Sequence, residues 1–296
     1  MDLVVGTEKL PVKGETVIGK TFSEVPGGKG ANQACAIGKL QGDVGIISAC
    51  GHDGYGDVLI KSLIRSGVNI SDIQIVDDTT GIALIIVEQT GENRIIIVPG
   101  ANGKVTISTI SKKEKQIKDA NIILLQLEIP IETVVYTIEM ASRYNKTIIL
   151  DPAPACKLPN EIFKKIDYIL PNEIEIKGLV SDRNYNSTQD QAKRLLELGV
   201  GNVILTKGSK GVTLYNNNTQ REFVAEKVKA VDTTAAGDAF AGGLAYSLNL
   251  NNSIEEAIRY ANVVAGLTVT RFGAQSSLPD LKTVEEYVNN KSGILK

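Results

Sequence analysis

The stretch Val231-Asp232-Thr233-Thr234-Ala235-Ala236-Gly237-Asp238-Ala239-Phe240 places three small residues and a carboxylate where a Gly- and Ala-rich helix is predicted to begin. Small side chains allow a phosphate to approach the backbone, and the first N–H groups of a helix lack an intrahelical acceptor, so they can bind an anion. Asp238 could accept a proton from a substrate hydroxyl at this point. The pattern therefore suits phosphoryl transfer to an alcohol. The alternative is an Asp that only caps an ordinary helix.

Short apolar segments alternate with helical segments along most of the chain. Such runs are typical of parallel strands buried on both faces. The predicted strands are Val44–Ala49, Asn121–Leu127, Thr147–Leu150, Tyr168–Leu170 and Val203–Thr206. The predicted helices are Gly54–Ser66, Ile131–Tyr144, Thr188–Leu198, Gly237–Leu248, Ser253–Thr270 and Thr283–Asn289. The alternation predicts one α/β domain over residues 1–296, with a doubly wound, mostly parallel sheet and helices on both faces.

Two segments depart from this pattern and alternate polar with apolar residues, as half-exposed antiparallel strands do. They are Glu15–Val25 and Gly81–Val98, and Gln89–Asn93 is predicted to form the turn within the second. We expect residues 10–25 and 81–98 to form a small antiparallel lid sheet. The alternative is an edge hairpin that has no functional motion.

Composition narrows the class of protein. The formal net charge of −2 gives no basic field for nucleic acid or an anionic membrane. No apolar run could span a bilayer and no secretory signal opens the chain, so we expect the cytoplasm. The cysteines, Cys35, Cys50 and Cys156, have neither disulfide-framework nor zinc-ligand spacing. His52 is the only histidine, which excludes multi-histidine metal sites.

A second glycine-rich motif, Pro26-Gly27-Gly28-Lys29-Gly30-Ala31-Asn32-Gln33, precedes a predicted helix. Its glycines allow unusual dihedral angles and close backbone approach. Lys29 and Asn32 offer donors for sugar hydroxyls. The motif lacks the Gly-Lys-Ser/Thr of a phosphate-binding P-loop, and Gln33 replaces the third glycine of a dinucleotide fingerprint. By itself it is as typical of a plain helix start as of a binding site.

Together, the two motifs resemble the signatures of the ribokinase family of sugar kinases, also called the phosphofructokinase-B family. The matching stretches are Gly27–Ala34 and Asp232–Asp238, supported by the tail Val269–Ser277, and the resemblance covers almost the whole chain. It implies transfer of the γ-phosphate of ATP to the 5-hydroxyl of D-ribose. Two alternatives remain: a related sugar or nucleoside kinase, and a non-catalytic sugar- or nucleotide-binding protein.

The resemblance also implies roles for individual residues. Asp238 would be the catalytic base, and the N–H groups of Ala235, Ala236, Gly237 and Asp238 would hold the developing negative charge. The implied ribose contacts are Asp2, Gly28, Lys29, Gly30, Ala31, Asn32 and Glu128, together with Asp238. Glu128 follows an apolar strand, and ligands bind at the carboxyl ends of such strands; the alternative is an exposed charge at a strand end.

For the nucleotide, the resemblance implies ATP contacts along a second set of positions. These are Asn172, Thr206, Lys207, Gly208, Ser209, Lys210, Gly211, Gly237, Asp238 and Asn262. Glu175 would reach Mg²⁺ through water, because magnesium keeps several waters and binds few carboxylates. An activating K⁺ would take side-chain oxygens of Asp232 and Ser277 and backbone carbonyls of Thr234, Thr268, Arg271 and Gly273. A homodimer through the lid sheet is also implied.

The chain departs from the family pattern at its start. Family members begin with an apolar strand that ends in Gly-Ser-x-Asn-x-Asp, whereas here Met1 directly precedes Asp2. That strand would be central in the sheet. We therefore expect two neighbouring strands without a partner and a slot in the core, and the matching Asn, a usual sugar contact, is missing. A late-assigned start, a trimmed chain or a compromised protein would each account for this pattern.

Overall fold

The computed structural model describes residues 1–90, 92–180 and 184–294, and in the last helix it describes side chains only as far as residue 291. The strands are β1 (Asp2–Thr7), β2 (Gly19–Val25), β3 (Ser48–Gly51), β4 (Ile73–Val76), β5 (Ile82–Glu88), β6 (Asn93–Val98), β7 (Ile122–Leu125), β8 (Thr147–Leu150), β9 (Tyr168–Ile169), β10 (Asn202–Thr206), β11 (Val212–Tyr215) and β12 (Gln220–Phe223).

The helices pack mainly against these strands. They are α1 (Lys29–Lys39), α2 (Gly54–Arg65), α3 (Ile107–Ser111), α4 (Glu114–Asp119), α5 (Ile131–Arg143), α6 (Asn160–Phe163), α7 (Glu175–Leu179), α8 (Thr188–Glu197), α9 (Ala236–Asn249), α10 (Ile254–Thr268) and α11 (Leu281–Ile294). In the described part of the chain, none of these helices is long and apolar enough to cross a membrane.

The main sheet has six strands in the order β12-β11-β10-β9-β8-β7. Strands β7 to β10 run parallel, and β11 and β12 add an antiparallel edge. Side chains of β8 alternate between two apolar layers, as strand geometry requires. Ile148 and Leu150 pack with α5 and α8, whereas Ile149 packs with α9 and α10. Both faces are therefore covered by helices, and the predicted doubly wound α/β fold is confirmed.

The parallel strands β3 and β7 belong to two separate sheets and do not pair with each other. Within the described residues, β3 pairs with β4 and β7 pairs with β8, and the other edge of each strand has no partner. Ala49 of β3 and Leu125 of β7 nevertheless lie in one apolar cluster. This is the expected arrangement of two strands without a neighbour. The predicted strand Val44–Ala49 is shifted: β3 begins at Ser48, and Gly45 makes only an isolated bridge to Asn69.

A second sheet has the order β2-β1-β5-β6. Strands β1 and β5 are parallel, and the other two pairs are antiparallel. Compared with the sequence prediction, this sheet gains β1, and residues 10–18 form no strand. The unpredicted strand β1 is hydrogen-bonded on both sides, which fixes Asp2 at the end of the sheet nearest the glycine-rich motif. The predicted turn Gln89–Asn93 includes Gly91, which lies outside the described residues.

Close packing of α1 against α9 brings the two glycine-rich motifs together. A Cβ atom added at Gly242 of α9 would lie 2.6 Å from the Cβ of Ala36 and 2.9 Å from the carbonyl oxygen of Gln33. Such separations are shorter than van der Waals contact, so glycine is required at this position for the helices to approach. The small residues of α9 thus determine how near the first turn of α1 lies to Asp238.

Candidate active site

The centre of the site is Asp238, in the first turn of α9. Its side chain is buried and accepts two hydrogen bonds from α1: Asn32 Nδ2 donates to Oδ2 at 2.8 Å, and Gln33 Nε2 donates to Oδ1 at 3.1 Å. Burial raises the pKa of Asp238, and the Lys29 ammonium together with these hydrogen bonds offsets part of that rise. A carboxylate held in this way is oriented for proton abstraction.

The backbone around Asp238 is shaped for an anion. Ala235, which precedes α9, has a left-handed conformation with φ 58°, and it turns the chain sharply into the helix. Outside α9 itself, no atom lies within 4 Å of the position that a Cβ on Gly237 would occupy. Ala236 N donates to Thr233 O at 3.3 Å, and helix geometry leaves the N–H groups of Gly237 and Asp238 without an intrahelical acceptor, so they can bind an external anion.

Lys29 and Glu128 meet at the same cleft. The backbone N–H of Lys29 donates to Glu128 Oε2 at 3.0 Å, so the charge at the carboxyl end of the β7 segment is bound to the start of α1. Burial raises the pKa of Glu128, although the backbone hydrogen bond and the Lys29 ammonium counteract the effect. Glu128 is therefore a partly buried charge that is held against the start of α1.

Asp2 lies against the glycine-rich loop. A Cβ atom on Gly27 would be 2.3 Å from Asp2 Oδ2, so this contact requires glycine. Burial raises the pKa of Asp2, and the nearby Asp238 carboxylate adds to the rise. Gly28 has φ 93°, a conformation that favours glycine, and its carbonyl accepts from Asn32 N at 2.8 Å to open α1. These contacts arrange the loop around the cleft.

A cleft of about 1620 Å³ separates the second sheet from the main body. The predicted sugar-binding residues Asp2, Gly28, Lys29, Asn32, Glu128 and Asp238 all line it. The sheet lines its other side with alternate residues, among them Val4, Ala83 and Ile95. Asn32 Oδ1 is buried and has no hydrogen-bond partner in the described structure. A ligand hydroxyl would satisfy this acceptor. Gly30 and Ala31 contribute backbone and packing beneath the cleft, because Gly30 faces Gln126 and Ala31 packs into the apolar layer below.

Sequence analysis missed a group of polar residues beneath Asp238. Gln33 Nε2 donates to Asp151 Oδ2 at 2.8 Å as well as to Asp238, and Gln126 Nε2 donates to Gln33 Oε1. Burial raises the pKa of Asp151 to about 7, against the opposing effect of Lys29. Asp151 directly follows β8, so the rule that sites lie at the carboxyl ends of parallel strands could have found it.

The predicted magnesium and nucleotide residues lie beside this group. Asn172 Oδ1 accepts from the N–H groups of Ile174 and Glu175, each at 2.8 Å, and Glu175 Oε2 accepts from Asn172 N at 2.8 Å. This reciprocal pair closes the start of α7. Glu175 acts electrostatically on both Lys29 and Asp151, so its carboxylate faces the site. A single carboxylate here fits a magnesium ion that is reached through water.

The predicted nucleotide turn follows β10 and is stabilised by an adjacent segment. Thr206 N donates to Pro171 O at 2.9 Å, which places the turn next to Asn172. Residues Gly208–Lys210 form one turn of 3-10 helix, and Lys207 pairs with Glu222 at 3.3 Å. Gly211 has φ 91°, and a Cβ there would lie 2.0 Å from Phe223 O, so the hairpin requires glycine at this point. Ser209 lies on this turn, which does not line the cleft described above.

Asn262 has a structural contact. It is buried on α10 and its Nδ2 donates to Val224 O at 3.3 Å, tying the helix to the segment after β12. This bond would be present without any ligand. A contact with the adenine end of ATP stays a prediction.

The predicted K⁺ residues lie on two segments that are bound to each other: the loop with Asp232 and Thr234, and the end of α10 with the loop that follows it. Asp232 Oδ1 accepts from Thr234 N at 2.9 Å, and Asp232 Oδ2 accepts from Gly273 N at 2.9 Å. Thr268 and Ser277 are buried and use their hydroxyls to donate to the carbonyls of Val264 and Ala274. A donating hydroxyl keeps its lone pairs, so Ser277 and the carbonyls of Thr234, Thr268, Arg271 and Gly273 fit a weakly hydrated cation. The described residues contain no cluster of three His, Cys, Asp or Glu side chains that could hold a metal ion.

The chain belongs to the pfkB family of carbohydrate kinases, whose model matches residues 1–281. It is 37% identical to the ribokinase of Schizosaccharomyces pombe, over 98% of this chain and 95% of that protein. A crystal structure of ribokinase from Thermotoga maritima superimposes with a TM-score of 0.90 at 40% identity, covering 97% of this chain and 96% of that one. Arabidopsis thaliana ribokinase complexed with ribose and ATP gives a TM-score of 0.87 at 31% identity, covering 96% and 94% of the two chains.

Proposed function

We propose that this protein is an ATP-dependent ribokinase (EC 2.7.1.15), which transfers the γ-phosphate of ATP to the 5-hydroxyl of D-ribose and releases ADP. The observation that carries the proposal is the position of Asp238 in the first turn of α9, where Asn32 and Gln33 orient its carboxylate. Asp238 borders a cleft lined by side chains that can hydrogen-bond sugar hydroxyls. The ribokinases among its relatives, one of them complexed with ribose and ATP, support the choice of substrates.

Ribose binds between the glycine-rich loop and the second sheet. Asp2, Asn32 and Glu128 accept or donate hydrogen bonds at its hydroxyls, and Lys29 supplies a positive charge. The 5-hydroxyl faces Asp238. The second sheet acts as a lid whose closure excludes water and limits hydrolysis of ATP.

Phosphoryl transfer then depends on three features of the chain. Asp238 takes the proton of the 5-hydroxyl as the oxygen attacks the γ-phosphorus in line. The N–H groups from Ala235 to Asp238 stabilise charge on the transferred phosphoryl group. Glu175 would hold Mg²⁺ through water, and the ion would supply positive charge to the ATP phosphates. Asn172 and the turn Thr206–Gly211 orient the nucleotide, and Asn262 lies at its adenine end.

A monovalent cation activates the enzyme in this proposal. Asp232, Ser277 and the carbonyls of Thr234, Thr268, Arg271 and Gly273 would hold K⁺, and Thr234 directly precedes Ala235 in the chain. Because Asp232 hydrogen-bonds both loops, an ion there would order the anion-binding turn without touching the substrate.

The quaternary structure that we propose is a homodimer through the lid sheet. Strand alternation places Val4, Ala83 and Ile95 toward the cleft, so Phe22, Leu84 and Ile96 lie on the opposite face. These three side chains are 62%, 40% and 61% exposed. A large apolar face of this kind is usually covered by a partner, and a second copy offers the same surface. The cytoplasmic location stays a prediction.

The deciding experiment measures ADP release by the purified protein with Mg²⁺ and ATP, in K⁺ buffer and in Na⁺ buffer. The acceptors are the sugars ribose, deoxyribose and fructose and the nucleoside adenosine, each tested separately. We expect ribose-dependent turnover that is faster in K⁺. Preference for another acceptor would indicate a related sugar or nucleoside kinase. Binding of ribose or ATP without turnover would indicate the non-catalytic alternative.

A further inference from the structure

Asp151 is a second buried carboxylate beneath the catalytic base, and the mechanism above does not use it. It directly follows β8, where its backbone N–H donates to Leu125 O at 2.8 Å. Its side chain is 10% exposed, so it is largely removed from solvent and is fixed by the main sheet. Burying a carboxylate costs free energy unless neighbouring groups compensate its charge. The contacts of Asp151 therefore indicate its role.

One amide joins Asp151 to Asp238. The Nε2 group of Gln33 carries two hydrogens, and it donates to Asp151 at 2.8 Å and to Asp238 at 3.1 Å. Gln126 donates to Gln33 Oε1 and thereby fixes which end of the Gln33 amide faces the carboxylates. A displacement of Asp151 would therefore move the donor of Asp238.

A single cation lies near both carboxylates. Lys29 Nζ is 3.9 Å from Asp151 Oδ2, the same oxygen that accepts from Gln33. Burial alone would lower the pKa of Lys29, but the charges of Asp151, Asp238, Glu128 and Glu175 raise it above its ordinary value. The charged groups that face Asp151 are Lys29 on α1, Asp238 on α9 and Glu175 on α7. Asp238 faces Lys29 and also Asp2 from β1 and Glu128.

We propose that Asp151 is a positioning residue for the phosphoryl transfer: through Gln33 and Lys29 it orients Asp238, and its charge helps to set the pH range in which Asp238 acts as the base. The proposal rests on the kinase function stated above. It gives this site a coupled pair of carboxylates, which titrate together and not as separate groups.

The expected pH effect has a definite sign. A negative charge on Asp151 repels a negative charge on Asp238, and it competes for Lys29. The charge of Asp238 helps to raise the pKa of Asp151, and because repulsion is mutual, an ionised Asp151 also holds the proton on Asp238 to higher pH. Removal of the Asp151 charge therefore moves the acidic limb of activity to lower pH.

The first test compares pH profiles of kcat/KM for ribose in Asp151→Asn, Asp151→Ala and the wild type. Asn keeps an oxygen for Gln33 and Lys29 and loses the charge, whereas Ala loses both. We expect the limb of Asp151→Asn to move down by roughly 1 pH unit. Asp151→Ala should show the same shift and a lower kcat than Asp151→Asn at every pH. An unmoved limb, or equal kcat values in the two variants, would overturn the proposal.

Asp167→Asn is the matched control. Burial also raises the pKa of Asp167, but this residue precedes β9 and accepts from Ile148 N at the other end of the sheet. Its substitution should leave the acidic limb in place. A shift of equal size in Asp167→Asn would show a general effect of charge and would contradict a specific role for Asp151.

The second test needs no turnover, so it separates the failure of this proposal from failure of the kinase function. Melting temperatures are measured for Asp151→Asn, Asp238→Asn and the double variant at pH 5 and pH 8. The pKa of Asp151 is raised by folding, so its contribution to stability is present at low pH and is lost as pH rises toward about 7. Asp151→Asn should therefore raise the Tm more at pH 8 than at pH 5.

In the same experiment, coupling of the two carboxylates predicts non-additive effects. At pH 8, Asp151→Asn should raise the Tm in both backgrounds, but the rise should be smaller in Asp238→Asn than in the wild type. The difference between the two rises should be roughly 2–4 °C. Additive effects at pH 8 would overturn the proposal even if ribose is phosphorylated. If the wild-type protein shows no turnover, the kinase function is rejected. The Tm measurements would then still decide whether Asp151 and Asp238 are coupled.

Discussion

Asn32 donates a hydrogen bond of 2.8 Å from its side-chain amide to Asp238 Oδ2, across 206 positions of the chain. The first residue belongs to the opening turn of α1 and the second to the opening turn of α9. Their contact joins the proposed sugar-binding side of the cleft to the carboxylate that we propose as the base. It exists because Gly242 lets the two helices approach. The proposed chemistry therefore depends on helix packing as much as on the motifs themselves.

Replacement of Asp238 by Asn should abolish the base but retain the packing of α1 against α9. We expect turnover to fall by roughly two to four orders of magnitude, the usual contribution of a positioned base. Ribose affinity, measured by calorimetry, should change little, because Asn keeps one acceptor for Asn32. The control is Asp167→Asn, which lies at the other end of the sheet. A variant that retains full activity would reject the role of Asp238.

Glu128→Gln should weaken sugar binding more than it slows chemistry. Gln keeps an oxygen for the Lys29 N–H, so the start of α1 remains anchored. The negative charge that a sugar hydroxyl would meet is lost. A charged hydrogen bond contributes about 1.5–3 kcal/mol, so KM for ribose should rise at least about tenfold. Steady-state kinetics with varied ribose measure the effect. A fall in kcat at unchanged KM would contradict the assignment.

Asp232→Asn should remove the dependence on K⁺. The Asp232 carboxylate binds Thr234 on one loop and Gly273 on the other, so its charge and its contacts both bear on the cation site. The measurement is turnover as a function of K⁺ at constant ionic strength with Na⁺ as the balancing ion. We expect the wild type to be activated and the variant to be slow at all K⁺ concentrations. Equal activation of both proteins would exclude Asp232 from the site.

Ile96→Lys should disrupt the proposed dimer. Ile96 is 61% exposed on β6, and a charge in an apolar interface would be buried without a partner. Sedimentation velocity should show a dimer for the wild type and a monomer for the variant. Ile64→Lys is the matched control, because Ile64 is 54% exposed on α2, away from the second sheet. Monomeric wild-type protein, or loss of the dimer in both variants, would contradict the lid interface.

Most regular elements could be predicted from local sequence. The strand Thr147–Leu150 has the predicted bounds, and α5 and α8 end one residue before the predicted limits, because these segments combine strong periodicity with clear ends. Strand β1 was missed. Its pairing with both β2 and β5 depends on segments far along the chain, and no local pattern encodes such neighbours.

The sequence by itself determined the family motifs and allowed Asp238 to be proposed as the base, since the residue types that bind phosphate and accept a proton are fixed by chemistry. The tertiary structure alone decided that Asp151, Gln33 and Asp238 share one hydrogen-bonded group. It also decided that Asn262 bonds to Val224. These features arise from contacts between residues distant in sequence, which burial and packing select only when the whole chain is folded.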